Sequence, residues 1–579
     1  MAFIVDVNNP AWIKSGVFFA VRDIENYANS ISIGYSQRAL GFVCVWVSCL
    51  AWGTDEAQPF IDVSMLVTKN QLVAPQAVQS FYENRRYMLA WSRHGEPLAR
   101  AQRFLQEIYQ LRFDGLLPDD YHADAIDEIL EYSRSDLAED SAADTLQNTT
   151  SPLAELDVLL SDAYFASANH LTLGKLNQKT LRARAPIEGV QTDLGDALEF
   201  ALQANESTPM LTRFRPEAPA YRGLRELAQA YEQILLAGGW PLVTVGPTLQ
   251  FGDRGNRVIE LTRRLHLEGY GSWRADEDVD VYDETVERAV KQYQFDRGLT
   301  ADGRVGPDTR RELNIAVAWR LGEMAPNLER WRWLPHRLGA RYIVVNTAGY
   351  MLDLVDHGET LSRHRVVVGL PYRPTPEFSD QVRYLVFNPS WFVPPSIAVK
   401  DLLPRFRTDP TIFAQRGIRV FSRSDDDWIE ADPATIDWWA VTQDSRRFPY
   451  RLRQVPGPLN PLGQVKFMFP NQYDVYLHDT PAAKQFDSAI RTFSSGCIRV
   501  DRALELAAAV LRETAGWDEE VIARIVSTGQ ETIARLAQPL PIYIYYWTVW
   551  PAHNGRIVFR RDVYQRDAAL LEALQFPIR

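Results

Sequence analysis

The chain has 579 residues, and its 46% hydrophobic and 23% charged content is that of a globular protein built from roughly three or four folded units. A formal net charge of −12 leaves no basic stripe to neutralise phosphates and excludes a general nucleic-acid binder. The 16 Trp and 24 Tyr suit contact with carbohydrate or peptide, although large cores use the same residues.

Residues 39–52, ALGFVCVWVSCLAW, form the one long apolar run. It falls short of the roughly 20 residues that a membrane-spanning helix needs. The run follows Arg38 and ends in Ala51-Trp52-Gly53, a small-x-small pattern like a signal-peptidase site, ahead of the polar TDEAQ. Residues 1–55 therefore read as an export signal or an uncleaved anchor, with a buried core helix as the alternative. Cleavage removes Cys44 and Cys49 and leaves Cys497 as the only thiol. In an oxidising compartment a leftover cysteine is an intermolecular link or a reactive group.

From 75 to 240 the apolar spacing is helical, clearest in FYENRRYMLAW (81–91), in 101–122 and in 156–171. Gly115 and Pro118 stop the second of these, and the polar stretch 137–151 reads as a loop. His94, His122 and His170 stand alone and read as structural. Residues 246–314 predict three short helices around Val258-Leu261-Leu265, Val286-Ala289-Val290-Tyr293 and a third capped by Asp308, after the turn Asp302-Gly303-Arg304-Val305-Gly306-Pro307. Beyond Trp333 the period changes to two, which predicts strands in 341–356, 362–370, 383–395, 542–550 and 556–564. Helices are expected at 502–513 and 518–537. The long stretch 397–458, with Trp428, Trp438 and Trp439, reads as a lid or subdomain.

YDVYLHDTP (473–481) alternates, so Asp474, Tyr476 and His478 share one strand face. Nineteen positions beyond His478 comes Cys497, in SSGCIRV, read as a loop entering a helix whose cap is Asp501. A free thiol is largely protonated at neutral pH, and a nearby base activates it; His478 is placed to serve. The N–H groups of Gly496 and Cys497 are candidate oxyanion donors, Gly496 lets the backbone approach a partner closely, and Arg499 is a candidate for a substrate carboxylate. The competing reading is a small buried hydrophobe.

HDTP followed by SSGCIRV resembles the signature of the YkuD-type L,D-transpeptidases, whose usual pattern is a His, a spacer, then Ser/Thr-His-Gly-Cys, a hydrophobic residue and Asn. The chain departs at Ser495, where a His is common, and at Arg499, where Asn is common. Both departures, with NPSWFVPPSI (388–397) and PGPLNPLGQVKFMFPN (456–471), resemble the large periplasmic YcbB-like subgroup. Residues 246–314 resemble the small peptidoglycan-binding repeat. The resemblance implies a multidomain α+β chain: a helical scaffold (75–240), a three-helix peptidoglycan-binding module (246–314) and a mainly-β catalytic domain (340–565) with an inserted capping subdomain (397–458). It also implies a periplasmic enzyme forming 3→3 cross-links by acyl transfer from a tetrapeptide stem. Cys497 is then the nucleophile, His478 the proton shuttle and Gly496 a backbone oxyanion donor. Tyr476, Arg499 and Ser495 line the substrate site. No metal or organic cofactor is implied. The partners are peptidoglycan stems and glycan, with other cell-wall synthesis proteins, and neither nucleic acid nor integral membrane insertion is expected. The same Cys and His with water as acceptor give an L,D-carboxypeptidase, and a non-catalytic wall-binding scaffold is the reading from another class.

Overall fold

The computed structural model describes residue 66 and residues 71–135, 151–176, 193–271, 273, 279–409, 411–425, 427–552 and 555–575. The apolar run 39–52 with Cys44 and Cys49, and nearly all of the predicted loop 137–151, lie outside them.

Helices Pro75–Asn84, Ala99–Gln110, Ala123–Ser135, Pro152–Leu173 and Leu194–Gln203 surround one apolar core. Pro152–Leu173 is buried on nearly every side and is the central element. Its buried Asp157 accepts N–H groups from Ala90 at 2.6 Å and Trp91 at 2.9 Å, and the Tyr82 hydroxyl at 2.7 Å. This contact cuts the helix expected over 81–91 at Asn84: Arg86 (φ 54°) and Tyr87 (φ 61°) turn left-handed and swing the following residues onto Asp157. A hairpin of β1 (Ser92–Arg93) and β2 (Glu96–Pro97) follows. His122 bonds Asp162 at 2.7 Å and His170 bonds the Tyr121 hydroxyl at 2.9 Å, so both are structural.

The second unit holds helices Asn256–Leu267, Glu284–Asp296 and Pro307–Leu313 around Val258, Leu261, Val286, Val290 and Tyr293. Its third helix is capped by Gly306, and Asp308 lies inside the first turn, not at the cap position expected for it. Pro307 sets that start, because a first-turn proline needs no N–H partner. The unit is fastened by Glu268, fully buried between Arg264 at 2.8 Å and Arg297 at 2.6 Å, which also accepts the Tyr231 hydroxyl at 2.7 Å from helix Pro219–Leu236. Arg297 in turn donates to the Ile557 carbonyl at 2.7 Å. Burial alone would raise the Glu268 carboxyl, but Arg297 and Arg264 outweigh it and hold the group down to about 2.

Helix Val317–Arg332 leads into the β region: β3 (Arg341–Asn346), β4 (Met351–Asp356), β5 (Glu359–Gly369) and β6 (Phe378–Phe387). Then β7 (Trp391–Val393), β8 (Ile418–Ser424), β9 (Asp427–Ala431) and β10 (Tyr450–Gln454) form a separate four-stranded sheet. That sheet has its own core, in which Phe413 stacks between Phe406 and Trp438 at 3.9 and 4.8 Å. The stretch left irregular by its sequence is thus a folded subdomain. The chain returns through β11 (Val465–Met468), β12 (Leu477–His478), β13 (Thr492–Ser494), β14 (Ile498–Val500) and β15 (Thr532–Tyr545). The main sheet runs β13-β5-β14-β12-β11-β6-β15-β3-β4, and β4 also pairs β5, so it curls back on itself. The helix expected over 518–537 spans only Glu519–Thr528: Gly529 (φ 67°) ends it, and from Thr532 the chain pairs with β6, a contact that local periodicity does not encode. β16 (Val549–Pro551) and β17 (Ile557–Phe559) close a terminal hairpin.

Glu268→Gln removes the charge that two buried guanidinium groups share, and we expect it to cost about 3–5 kcal/mol; exposed Glu284→Gln stays within about 0.5 kcal/mol. The native carboxyl is depressed, so its contribution is complete above the unfolded-chain value of about 4.3 and is lost as pH falls toward the native value. Thermal unfolding of both variants at pH 7 and pH 4 checks this: the deficit of Glu268→Gln should shrink on acidification.

Candidate active site

The register of four strands assembles the site. β13 pairs β5 on one side (Thr492↔Val368) and β14 pairs it on the other (Arg499↔Val367), so Ser495-Gly496-Cys497 crosses over the end of β5. β12 runs parallel to β14 with Leu477↔Ile498 and His478↔Arg499. Leu477, Ile498 and Val500 point into the core. Period-two alternation puts Tyr476, His478, Cys497 and Arg499 on the opposite face. The thiol therefore leads into a strand, where a helix was expected. Asp501 is not a cap either: its N–H still bonds Arg365 of β5, its carboxylate pairs Arg365 at 2.9 Å, and helix Ala503–Leu511 begins after Arg502 (φ 52°).

Cys497 is half-buried and the free cysteine among the described residues. Its Sγ lies 3.7 Å from the Asp474 carbonyl, which accepts from the thiol; Asp474 is left-handed (φ 54°) and so aims that carbonyl inward. Tyr476 presents both its backbone N–H and its hydroxyl to the sulfur, and the Trp391 indole of β7 reaches the same hydroxyl. Burial pushes the thiol above its ordinary value, against the pull of Tyr476 and the Arg499 charge.

His478 is 4% exposed. Its Nδ1 lies 2.5 Å from the Asp479 carbonyl, and the ring packs 5.7 Å from that of Tyr476. Burial first, then the Arg499 charge, brings the imidazole down to about 3, so it is neutral at physiological pH. No hydrogen bond joins imidazole and thiol among the described residues; Tyr476 is the side chain directly at the sulfur. Arg499 is half-buried, with Nη1 2.5 Å from Gln485 Oε1 and Nε without a partner. Among the described residues it pairs no carboxylate.

Gly496 has φ 122°, a conformation L side chains rarely adopt, while a Cβ there would meet nothing within 4 Å. Its requirement is conformational; the close backbone approach expected from the sequence is not what it provides. Its N–H bonds Ser494 Oγ at 3.1 Å, and that hydroxyl donates to the Cys497 carbonyl at 2.5 Å. The expected oxyanion donor at Gly496 is thus occupied in the resting loop. The Gly496 carbonyl accepts from buried Thr375 Oγ1 at 2.8 Å, and Thr375 also takes the Gly369 N–H at 3.0 Å. Ser495 Oγ meets Arg373 at 2.9 Å, and the same guanidinium pairs Asp401 of the helical turn Ala398–Leu402 at 2.9 Å. Sequence reasoning missed Thr375, Arg373 and Ser494. Thr375 and Arg373 lie more than a hundred positions from the loop they hold, in a Pro-rich turn with no periodic signal.

Residues 340–532 match the family described as "L,D-transpeptidase catalytic domain", 254–313 the "Putative peptidoglycan binding domain" and 76–227 the "Scaffold domain". The chain contains an L,D-transpeptidase catalytic domain joined to a peptidoglycan-binding domain. It is 34% identical over 259 residues to a "Putative L,D-transpeptidase" of Haemophilus influenzae, covering 45% of this chain and 50% of that protein, so it spans about half the length of that relative. Among solved structures, an L,D-transpeptidase of Xylanimonas cellulosilytica is 16% identical with a TM-score of 0.17 (52% of this chain, 99% of that one). One from Mycobacterium smegmatis is 12% identical with a TM-score of 0.18 (36% of this chain, 58% of that one).

A raised thiol beside a neutral imidazole makes the resting pair uncharged. Iodoacetamide alkylation of Cys497 should therefore accelerate steadily through about pH 8.5, the free-thiol value; a plateau beginning below pH 7 would instead reveal a preformed thiolate–imidazolium pair. Thr375→Val keeps the volume but loses the bond to the Gly496 carbonyl and the one from the Gly369 N–H. We expect Cys497 acylation to slow by about tenfold or more with Thr375→Ser near wild type, measured by single-turnover mass spectrometry.

Proposed function

We propose that the protein is a peptidoglycan L,D-transpeptidase that forms 3→3 cross-links through a thioester on Cys497. The observation carrying this reading is the single sheet face that sets a thiol against two Tyr476 donors and beside a guanidinium with no acidic partner. In the forward step the sulfur attacks the carbonyl on the L-centre of the third residue of a tetrapeptide stem, which we take as meso-diaminopimelate. The thiol proton passes to His478, whose neutral state a general base requires. The C–N bond to the terminal D-Ala then breaks, and His478 returns the proton to the leaving amine. The side-chain amine of a second stem attacks the thioester, gives up a proton to His478, and restores the thiol.

Tyr476 steadies the thiolate as it forms, and Arg499 takes a donor carboxylate, which also quenches the charge that depresses His478. With Gly496 N–H engaged by Ser494, the N–H of Cys497 is the oxyanion donor we favour. Arg373 ties Ser495 to Asp401, so closing of the capping sheet and ordering of the catalytic loop are coupled. In this reading 75–240 is a scaffold, 246–314 a wall-binding module and 340–565 the catalytic domain with its cap at 397–458. Action on peptidoglycan places the enzyme outside the cytoplasm, in the periplasm, exported by the segment near 39–53.

Intact mass of the purified protein after incubation with a carbapenem tests the nucleophile. We expect one adduct, absent from Cys497→Ala and at least about a hundredfold slower in His478→Ala. An adduct that persists in Cys497→Ala, or none on the folded wild type, removes Cys497 from the role.

A further inference from the structure

The face that carries the thiol continues beyond β12. β11 pairs β12 antiparallel with Lys466↔His478, so Arg499, His478 and Lys466 form one row across three adjacent strands. With strands about 4.8 Å apart, the backbones of Arg499 and Lys466 stand about 10 Å apart, with His478 midway. The flanking residues Val465 and Phe467 belong to the core, which sets Lys466 on the site face with Cys497.

Lys466 is half-buried, and among the described residues its ammonium makes no ion pair or hydrogen bond. Burial lowers its ammonium, and the one acidic influence on it is Glu531, whose carboxylate is already engaged with the Ser390 N–H at 2.6 Å. Arg499 at the other end of the row likewise pairs no carboxylate. Two cations held partly out of water without anions incur a desolvation cost, and both of them push the His478 imidazole down. The apolar residue that a sheet face would otherwise place beside His478 is absent at both ends of the row.

We propose that Lys466 and Arg499 form a two-cation cradle astride His478 that binds an acyl donor carrying two carboxylates, with Lys466 as a specificity-determining residue for the second. Rotation of Lys466 onto that carboxylate gives the ammonium the partner it lacks at rest. Neutralising both cations at once also removes the two charges that add to burial in depressing the His478 imidazole. This rests on the transpeptidase reading above and adds the residue that selects among donors, Lys466.

The test crosses one protein change with one substrate change. Wild type, Lys466→Met and Lys466→Arg are each given the stem tetrapeptide and forms in which one carboxylate at a time is a primary amide. Acylation of Cys497 is followed as kcat/KM by mass spectrometry, with thermal midpoints confirming the fold. Wild type should lose about tenfold or more for one of the amides. Lys466→Met should act on the parent peptide no better than wild type acts on that amide, and should lose nothing further when given the amide. Lys466→Arg should restore most of the preference. Equal losses on every donor in Lys466→Met, or no loss on any, overturns the cradle while leaving the transpeptidase reading intact. Failure of wild type to be acylated by any peptide overturns both, and is recognised because the parent itself is then no donor.

Discussion

The short parallel pairing of β12 with β14 is the contact on which the site depends. Its two register pairs, Leu477↔Ile498 and His478↔Arg499, are anchored by apolar side chains in the core below, and a slip of one position would send Tyr476, His478, Cys497 and Arg499 into that core. The same pairing needs β5 between β13 and β14, since only a chain crossing the end of β5 leaves Cys497 at the lip of the sheet. Thr375, held by Gly369 and holding Gly496, fixes that crossing from behind.

On this frame the electrostatics run against a thiol that is always charged. Burial raises the thiol and lowers the imidazole, so both rest neutral, and the favourable charges are kept in reserve on Arg499 and in the Tyr476 donors. A thiol that rests protonated is a poor target for adventitious oxidation. The inserted subdomain contributes to the same arrangement through Trp391 at the Tyr476 hydroxyl and Asp401 at Arg373. The three-helix module is not a loose attachment: Glu268, Arg264, Arg297 and Tyr231 lock it to the helical half, and Arg297 reaches the terminal hairpin.

Much of the architecture was legible in the sequence, because apolar spacing records which face of an element is buried. The helical first half, the three-helix module and the β-rich remainder all followed from the change of period from 3.6 to two. What periodicity misses is any contact that overrides local preference. Asp157 ends a helix from 67 positions away in the case of Ala90, and pairing with β6 makes a strand of 532–537 where helical spacing pointed the other way. At the site, alternation in YDVYLHDTP was enough to group Tyr476 with His478. It could not show that Tyr476 sits at the sulfur, that Ser494 occupies the Gly496 N–H, or that Lys466 joins the row, since each depends on strand register.

Cross-linking itself is the most direct measurement. Purified protein incubated with a disaccharide tetrapeptide, followed by mass spectrometry of the products, should yield a dimer whose mass equals two substrates less one alanine, with fragmentation placing the new bond between the L-centre of one third residue and the side-chain amine of another. A product mixture of tripeptide and free alanine with no dimer, or unchanged substrate beside folded protein, would contradict transpeptidation as the function.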